Sequence, residues 1–347
     1  MKLLIVTQTL DSKHSVLGFF VRWVLEFAKQ CEQVTVFCLD KGSDIFPDNV
    51  EVIHIPRAWG GIKSWPFTLV HQAFIQRKKY THVFVHMNPE YVLIAGFLWR
   101  LFRKRIGFWY AHGTVTLRLK IATFFSHSIV SSTQEGFRYN TKKLHLVGQG
   151  IDLSFYENVN THRPLSNPVR LVSIGRISSS KRMEMLLETV ANLVRVHKKD
   201  LLCTIIGGPV TDMDRVYENK LKIYAETEGI SDNVVWKGPL PLKDAIDVLK
   251  TQDIFLHFGN TGSLDKAVLD AMACGVIVCS SNEAVKTTFS SFKDVLFLES
   301  SIDAGKRVND LFSKPDEVIE LRKKFRARVE ENFSLTRLIK YIIQSIQ

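Results

Sequence analysis

Twice along this chain a series of short apolar runs alternates with amphipathic stretches, and this alternation narrows the fold more than any other feature. The first series falls at residues 3–7, 34–39, 50–55, 82–86, 106–110, 128–131 and 144–147. The runs are rich in Val, Ile and Phe and apolar on both faces, as parallel strands covered by helices on both sides must be. Amphipathic stretches such as 19–31, 65–77 and 91–103 lie between them. A second series follows at 170–174, 202–206, 233–236, 254–257, 276–279 and 295–297, with helical patterns near 182–196, 213–228, 242–250 and 265–273. The segment 158–168 is polar, contains two prolines and reads as a linker. Right-handed strand–helix–strand crossovers then predict an α/β chain of two doubly wound, Rossmann-like domains, 1–165 and 166–333, followed by a helix over 334–347. The 347 residues suit two such domains.

Composition removes several classes of function. Hydrophobic residues make up 46% and charged residues 23%, as in a soluble globular protein. No run reaches the roughly 18 to 20 apolar residues of a spanning helix. The start, MKLLIVTQTLDSK, turns polar too early for a signal peptide and suits a first buried strand. The five cysteines are odd in number and lack metal-ligand spacing, so they read as buried thiols in a reducing cytoplasm. The net charge of +11 is uneven: residues 1–165 hold 20 Lys and Arg against 11 Asp and Glu. A soluble basic surface, an anionic membrane, an acidic acceptor and nucleic acid each fit that excess. Nucleic acid is set aside because no recognisable binding module accompanies the charge. The stretch GFLWRLFRKRIGFWYAHG interleaves Trp99, Phe102, Phe108 and Trp109 with Arg100, Arg103, Lys104 and Arg105. It reads either as a helix with a basic end feeding a strand or as a peripheral contact with the inner face of a membrane.

Doubly wound sheets bind ligands beyond the carboxyl ends of their strands, so the loops there carry the search. In the second half, Gly175 and Arg176 leave a strand and lead to Lys181 at a helix start; both cations suit an anion. Gly207-Gly208 ends the next strand and permits close backbone approach, without the GxGxxG spacing of a dinucleotide site. Lys237 and Gly238 follow a third strand. TGSLDKAVLDAMACG then opens a helix whose N-terminus favours a phosphate, with Lys266 in its first turn and Asp270 suited to sugar hydroxyls. In the first half, Gly18 stands between the first strand and helix. His86, Asn88 and Glu90 follow one strand and His112 another, and GQGIDLSF closes the domain.

Three of these motifs together resemble the retaining glycosyltransferases of family four (glycosyl transferases group 1), which have the GT-B fold. Gly175-Arg176, four residues and Lys181 resemble the family's diphosphate motif. LDAMACGVIVCS is similar to its LEAMACG signature, and GQGIDLSF to its motif at the end of the first domain. The resemblance implies two domains facing a cleft. It also implies a UDP- or GDP-sugar as donor substrate, no further cofactor and no metal, since no Asp-x-Asp stands where a metal-dependent enzyme would need one. Arg176 and Lys181 would stabilise the departing diphosphate, Gly18 would admit it, and His112 would contact the transferred sugar. Gly207, Lys237 and Gly238 would lie near the nucleotide and Asp270 would bind the ribose. His86, Asn88 and Glu90 would face a glycan or lipid-linked acceptor. The family's first glutamate is replaced by Gly262, so Asp265 is expected to take the sugar hydroxyls and Lys266 to join the diphosphate cluster. A nucleotide-sugar 2-epimerase of similar fold is the alternative.

Overall fold

The computed structural model describes residues 1–14, 16–58, 64–259, 264–292 and 298–347. The chain divides into two compact units: Met1–Gly150 with Leu335–Gln347, and Ile151–Ser334. The divide thus falls earlier than the proline-containing segment at 158–168. That segment is fastened within the second unit. The buried carboxylate of Asp253 accepts hydrogen bonds from the backbone N–H groups of Ser166 (3.1 Å) and Arg170 (3.0 Å) and from Arg163. It also pairs with the fully buried Arg322 at 2.9 Å. A carboxylate with this many donors holds the chain far more firmly than a linker is held.

In the first unit, strands β1 (Lys2–Leu10), β2 (Gln33–Lys41), β3 (Val50–His54), β4 (His82–His86), β5 (Arg105–Trp109), β6 (Ser128–Ser131) and β7 (Leu144–Leu146) are all parallel. Their order is β3-β2-β1-β4-β5-β6-β7, which reverses direction between β1 and β4. Alternation along β1 divides the core. Leu3 and Ile5 pack with helix α1 (Phe19–Gln30), whereas Leu4 and Val6 lie on the face covered by α2 (Trp65–Ile75), α3 (Pro89–Leu101) and α4 (Leu117–Phe125). Trp99, Phe108 and Trp109 are buried in these two cores. These three aromatic residues therefore face inward, whereas Phe102 is half-buried beside the exposed Arg103.

The second unit contains β8 (Val169–Ile174), α5 (Met183–Arg195), β9 (Leu201–Ile206), α6 (Asp212–Thr227), β10 (Val234–Gly238), α7 (Leu242–Leu249), β11 (Ile254–His257), α8 (Lys266–Ala273) and β12 (Ile277–Ser280), then α9 (Glu283–Thr288), α10 (Ser301–Phe312) and α11 (Pro315–Asn332). Its parallel sheet runs β10-β9-β8-β11-β12 and reverses between β8 and β11. The expected strand at 295–297 lies outside the described residues.

The chain then returns to the first unit as α12 (Leu335–Ile346). Leu335, Leu338, Ile339, Ile342, Ile343 and Ile346 recur at helical spacing and all enter the core shared with α1. Gly107 on β5 makes room for it: a Cβ there would stand 2.0 Å from Ile346 Cγ2.

Candidate functional site

Each sheet offers its ligand-binding edge at the point where strand order reverses. In the second unit this point is flanked by the loops after β8 and β11. The β8 loop begins at Gly175 (φ +153°) and is bound to its neighbour: the Gly175 N–H donates to the Ile206 carbonyl at 2.9 Å, and Ile177 N–H to Gly208 at 3.0 Å. Gly207 (φ +135°) lies so close that a Cβ would sit 1.9 Å from the Gly175 carbonyl oxygen. Its N–H donates to Gly238 at 2.8 Å. Three successive strand ends are thereby held as one backbone surface, which explains the glycines at 175 and 207.

The charged side chains lie on this surface. Lys181 reaches across the reversal to pair with Asp265, at the start of α8. Asp265 Oδ2 also accepts from, or shares a proton with, His257 Nε2 at 2.6 Å, and the other ring nitrogen of His257 meets Ser280 Oγ at 2.9 Å. The side chains of Lys181 and Asp265 are 15% and 18% exposed. Burial opposes charge on Asp265, but Lys181 and His257 outweigh it and hold the carboxyl well below the usual carboxylate range. Gly259 fits against this trio, where a Cβ would come 3.0 Å from His257 Nε2 and 3.1 Å from Lys181 Cδ.

Arg176 is held separately. Its Nε and Nη2 donate to Asp214 Oδ2 at 2.9 and 2.6 Å, yet its side chain is 44% exposed. Asp214 also closes the N-terminus of α6, in a reciprocal capping arrangement with Thr211. Burial raises the Asp214 pKa, but hydrogen bonds from Thr211, Arg176 and Val210 bring it down to about 2. The sequence Asp212-Met213-Asp214 is formally Asp-x-Asp, but its second carboxylate is occupied by this cap and by Arg176.

Two residues of α8 that were expected at the donor pair with each other. Lys266 does not join Lys181; it turns along its own helix and bonds both oxygens of Asp270, at 2.7 and 3.0 Å. Asp270 is buried and also accepts from Tyr156 at 2.5 Å, so three hydrogen bonds already fall on its two oxygens. Asp270 in turn adds to burial in raising the Tyr156 pKa well above its ordinary value. Gly262 lies outside the described residues. Lys237 is exposed on β10, an edge strand two removed from the reversal, and Gly238 beside it has φ +69°.

The first unit places its residues less uniformly. Gly18 closes a tight turn before α1: its N–H donates to His14 at 2.9 Å, and a Cβ would fall 2.6 Å from the carbonyl oxygens of both Ser12 and His14. His86 is a correction. It is buried, stacked 4.2 Å from Phe20, and burial lowers its pKa to about 3, so it is a neutral core residue and not an acceptor contact. Glu90 is engaged by Arg118 at 2.8 Å across α3 and α4. Asn88 precedes α3 at this sheet's own reversal point, where its Nδ2 donates to Gln8 Oε1 of β1 at 3.5 Å, and His112 is exposed after β5. His257, Asp214 and Gly259 were missed in the sequence. Thr211-x-x-Asp214 was visible as a cap pattern, but its link to Arg176 spans 38 residues.

The family model for glycosyl transferases group 1 matches residues 156–332, just over half of the chain. The chain belongs to this family. An uncharacterized glycosyltransferase of Methanocaldococcus jannaschii is 22% identical over 249 residues, covering 67% of this chain and 58% of that protein. A GDP-Man:Man(3)GlcNAc(2)-PP-Dol alpha-1,2-mannosyltransferase of Caenorhabditis elegans is 27% identical over 117 residues, covering 33% of this chain and 25% of that one. The chain thus spans less than two thirds of the length of these curated relatives. Among solved structures, Anabaena HepE in complex with UDP and glucose superposes with a TM-score of 0.77 at 13% identity, over 99% of each chain. The fold of this glycosyl transferase family member is GT-B, two doubly wound parallel sheets with flanking helices. The epimerase alternative finds no support in these comparisons.

Proposed function

We propose that the protein is a retaining glycosyltransferase that moves a sugar from a UDP- or GDP-sugar to a glycan or lipid-linked acceptor without a metal ion. The observation that carries this reading is the pair of cations, Arg176 and Lys181, at the strand-order reversal of the second sheet. Bond cleavage in the donor leaves a nucleoside diphosphate whose growing charge needs fixed positive groups. Asp214 uses Nε and Nη2 of Arg176, which leaves Nη1 for a phosphate oxygen. The Lys181 ammonium carries three protons, so it can serve a phosphate while keeping Asp265.

Both bonds to Asp265 fall on Oδ2, and Oδ1 is assigned to a sugar hydroxyl, the role left open by Gly262. His112 is assigned to the transferred sugar and Asn88 to the acceptor. Retention follows from attack on the face the diphosphate leaves, with a donor phosphate oxygen taking the acceptor proton. Family membership and the UDP complex of a GT-B neighbour support the nucleotide class; the named dolichol-linked substrate of a relative supports a lipid-linked acceptor.

A thermal-shift panel of UDP, GDP and their sugars tests the reading, since a ligand bound only by the folded chain raises its melting temperature by mass action. One nucleotide series is expected to stabilise the protein in EDTA, and Arg176→Ala to lose that shift and about 10²–10³ in turnover. The proposal fails if no nucleotide or nucleotide sugar shifts the melt. Its metal-free part fails if activity disappears in EDTA and returns with Mn²⁺.

A further inference from the structure

Helix α3 carries large apolar side chains on both sides. Its inner face, with Tyr91, Val92, Ala95 and Trp99, is buried in the first core. Its outer face carries Phe97 and Leu101 at four-residue spacing, exposed at 67% and 62%, beside the exposed Arg100, while Leu93 one turn earlier is half-buried against the same core. A surface helix ordinarily turns charged residues outward, and an all-apolar helix is ordinarily covered. The helices packed against α3 on its two sides do the same: α2 exposes Phe67 (79%), Phe74 and Ile75, and α4 exposes Leu117 and Phe124 (69%). Gly96 lets α3 and α4 approach, since a Cβ there would be 3.2 Å from Phe125. Monomeric surfaces seldom leave so many large apolar side chains together without a partner.

The charge around this face selects the partner. Residues 64–125 hold nine Lys and Arg but only one acid, Glu90, and so account for +8 of the chain's +11. The basic residues concentrate where α2 and α3 both end. Arg77 lies 4.2 Å from the centre of the Phe74 ring and 5.5 Å from that of Phe102. Lys104 donates to the carbonyls of Arg77 and Tyr80 at 2.6 Å each, which ties the two ends together, and Lys78, Arg103 and Arg105 are exposed there. Apolar side chains that enter acyl chains, next to cations that meet headgroups, match the chemistry of an anionic bilayer surface. None of the three helices is long enough to cross a bilayer: α3 has 13 residues, about 20 Å.

We propose that the outer face of α2, α3 and α4 docks on an anionic lipid bilayer, with Phe67, Phe97 and Phe124 inserted and Lys78, Arg103 and Arg105 at the headgroups. The inference concerns the first unit alone and does not depend on the nucleotide site. It replaces the arrangement expected from the sequence, in which the buried Trp99 and Trp109 would have made the contact.

The test is co-sedimentation with phosphatidylcholine vesicles, with and without phosphatidylglycerol. The wild type is expected to bind the mixed vesicles, to bind pure phosphatidylcholine far less, and to be released by salt. Each cation near the surface is worth about five-fold in partitioning, so Arg103→Gln with Arg105→Gln is expected to weaken binding on the order of 25-fold. Phe97→Ser with Phe124→Ser, both exposed and expected to leave the melting temperature unchanged, should weaken binding at low salt by about ten-fold or more. Absence of binding to mixed vesicles at low salt overturns the proposal, as does equal binding by the folded Phe variant. A wild type that is dimeric by light scattering and a Phe variant that is monomeric would also overturn it, because the face would then be covered by a second copy.

Discussion

Replacing Asp265 by Asn tests the central geometry of the second unit, because it keeps the shape of the side chain and removes its charge. In the folded protein the carboxylate neutralises Lys181 and bonds His257. Removing one partner of a fully buried ion pair costs about 3–5 kcal/mol, since the other charge stays buried alone. Both side chains retain 15–18% exposure, so water recovers part of this and about 2 kcal/mol is the working value. For a unit the size of Ile151–Ser334 this corresponds to a melting temperature lower by about 4–8 °C. The pH dependence has a definite sign. The folded carboxyl lies below its unfolded value of 3.8, so its stabilisation is complete above that value and is lost as pH falls through the lower, folded one. Wild type and variant should therefore differ by a constant amount from neutral pH down to about 4–5 and converge only in stronger acid. Differential scanning calorimetry across this range reads both quantities. Titration calorimetry adds the functional half: the variant should bind the nucleoside diphosphate at least as tightly, because Lys181 is released to it, but lose the extra affinity for the nucleotide sugar. If Asp265→Asn melts with the wild type at neutral pH, Lys181 does not depend on the carboxylate. If both ligands also bind unchanged, Asp265 has no place at the sugar.

Four further substitutions probe other parts of the molecule. Asp214→Asn weakens the grip on Arg176 and the cap of α6 together; a loss of about 1–2 kcal/mol is expected in urea melts, with weaker diphosphate binding in the same titration. Gly207→Ala places a methyl group against the Gly175 carbonyl at a positive φ, so a destabilised second unit and loss of nucleotide binding are expected by thermal shift. His86→Phe fills the same space with a ring that needs no proton; stability should change by less than about 1.5 kcal/mol and acceptor KM should be unaltered, whereas a raised KM would return His86 to the acceptor site. Ile339→Ala in α12 is expected to cost about 2–5 kcal/mol, read as a lower transition for the first unit.

The strands and helices were legible because their periodicity is local. The β1 run and the α12 repeat each declare a buried face within about ten residues. The glycines at 175 and 207 were legible as turns, though not as one another's reason, which depends on two strand ends meeting. The site's charged residues were legible as types but not as pairs. Lys181 and Asp265 are 84 residues apart and Arg176 and Asp214 are 38 apart, and no pattern in a single sequence links such positions. His257 was hidden by its position at the end of an apolar run, where a histidine reads as a packed strand terminus. Of the two readings of the stretch around Arg100, the helix with a basic end feeding a strand is the one found, for a geometric reason. Helical phase turns Trp99 into the core and sheet pleating does the same for Trp109, so proximity in sequence to arginines said nothing of the face they share.

The placement of α12 has a consequence for how the chain is made. The first unit consists of two stretches of chain, and the ribosome must produce all of Ile151–Ser334 before the helix that seals one side of its sheet exists. At translation speeds of about 5–20 residues per second that interval is on the order of 10–40 s. During it, the apolar side chains that α12 later covers, among them Leu3, Trp109 and Val130, lack part of their packing. The second unit, by contrast, is one continuous stretch of chain. The face of the first sheet that α1 and α12 share thus stays partly uncovered until the end of synthesis, open to whatever binds exposed apolar surface in the cell.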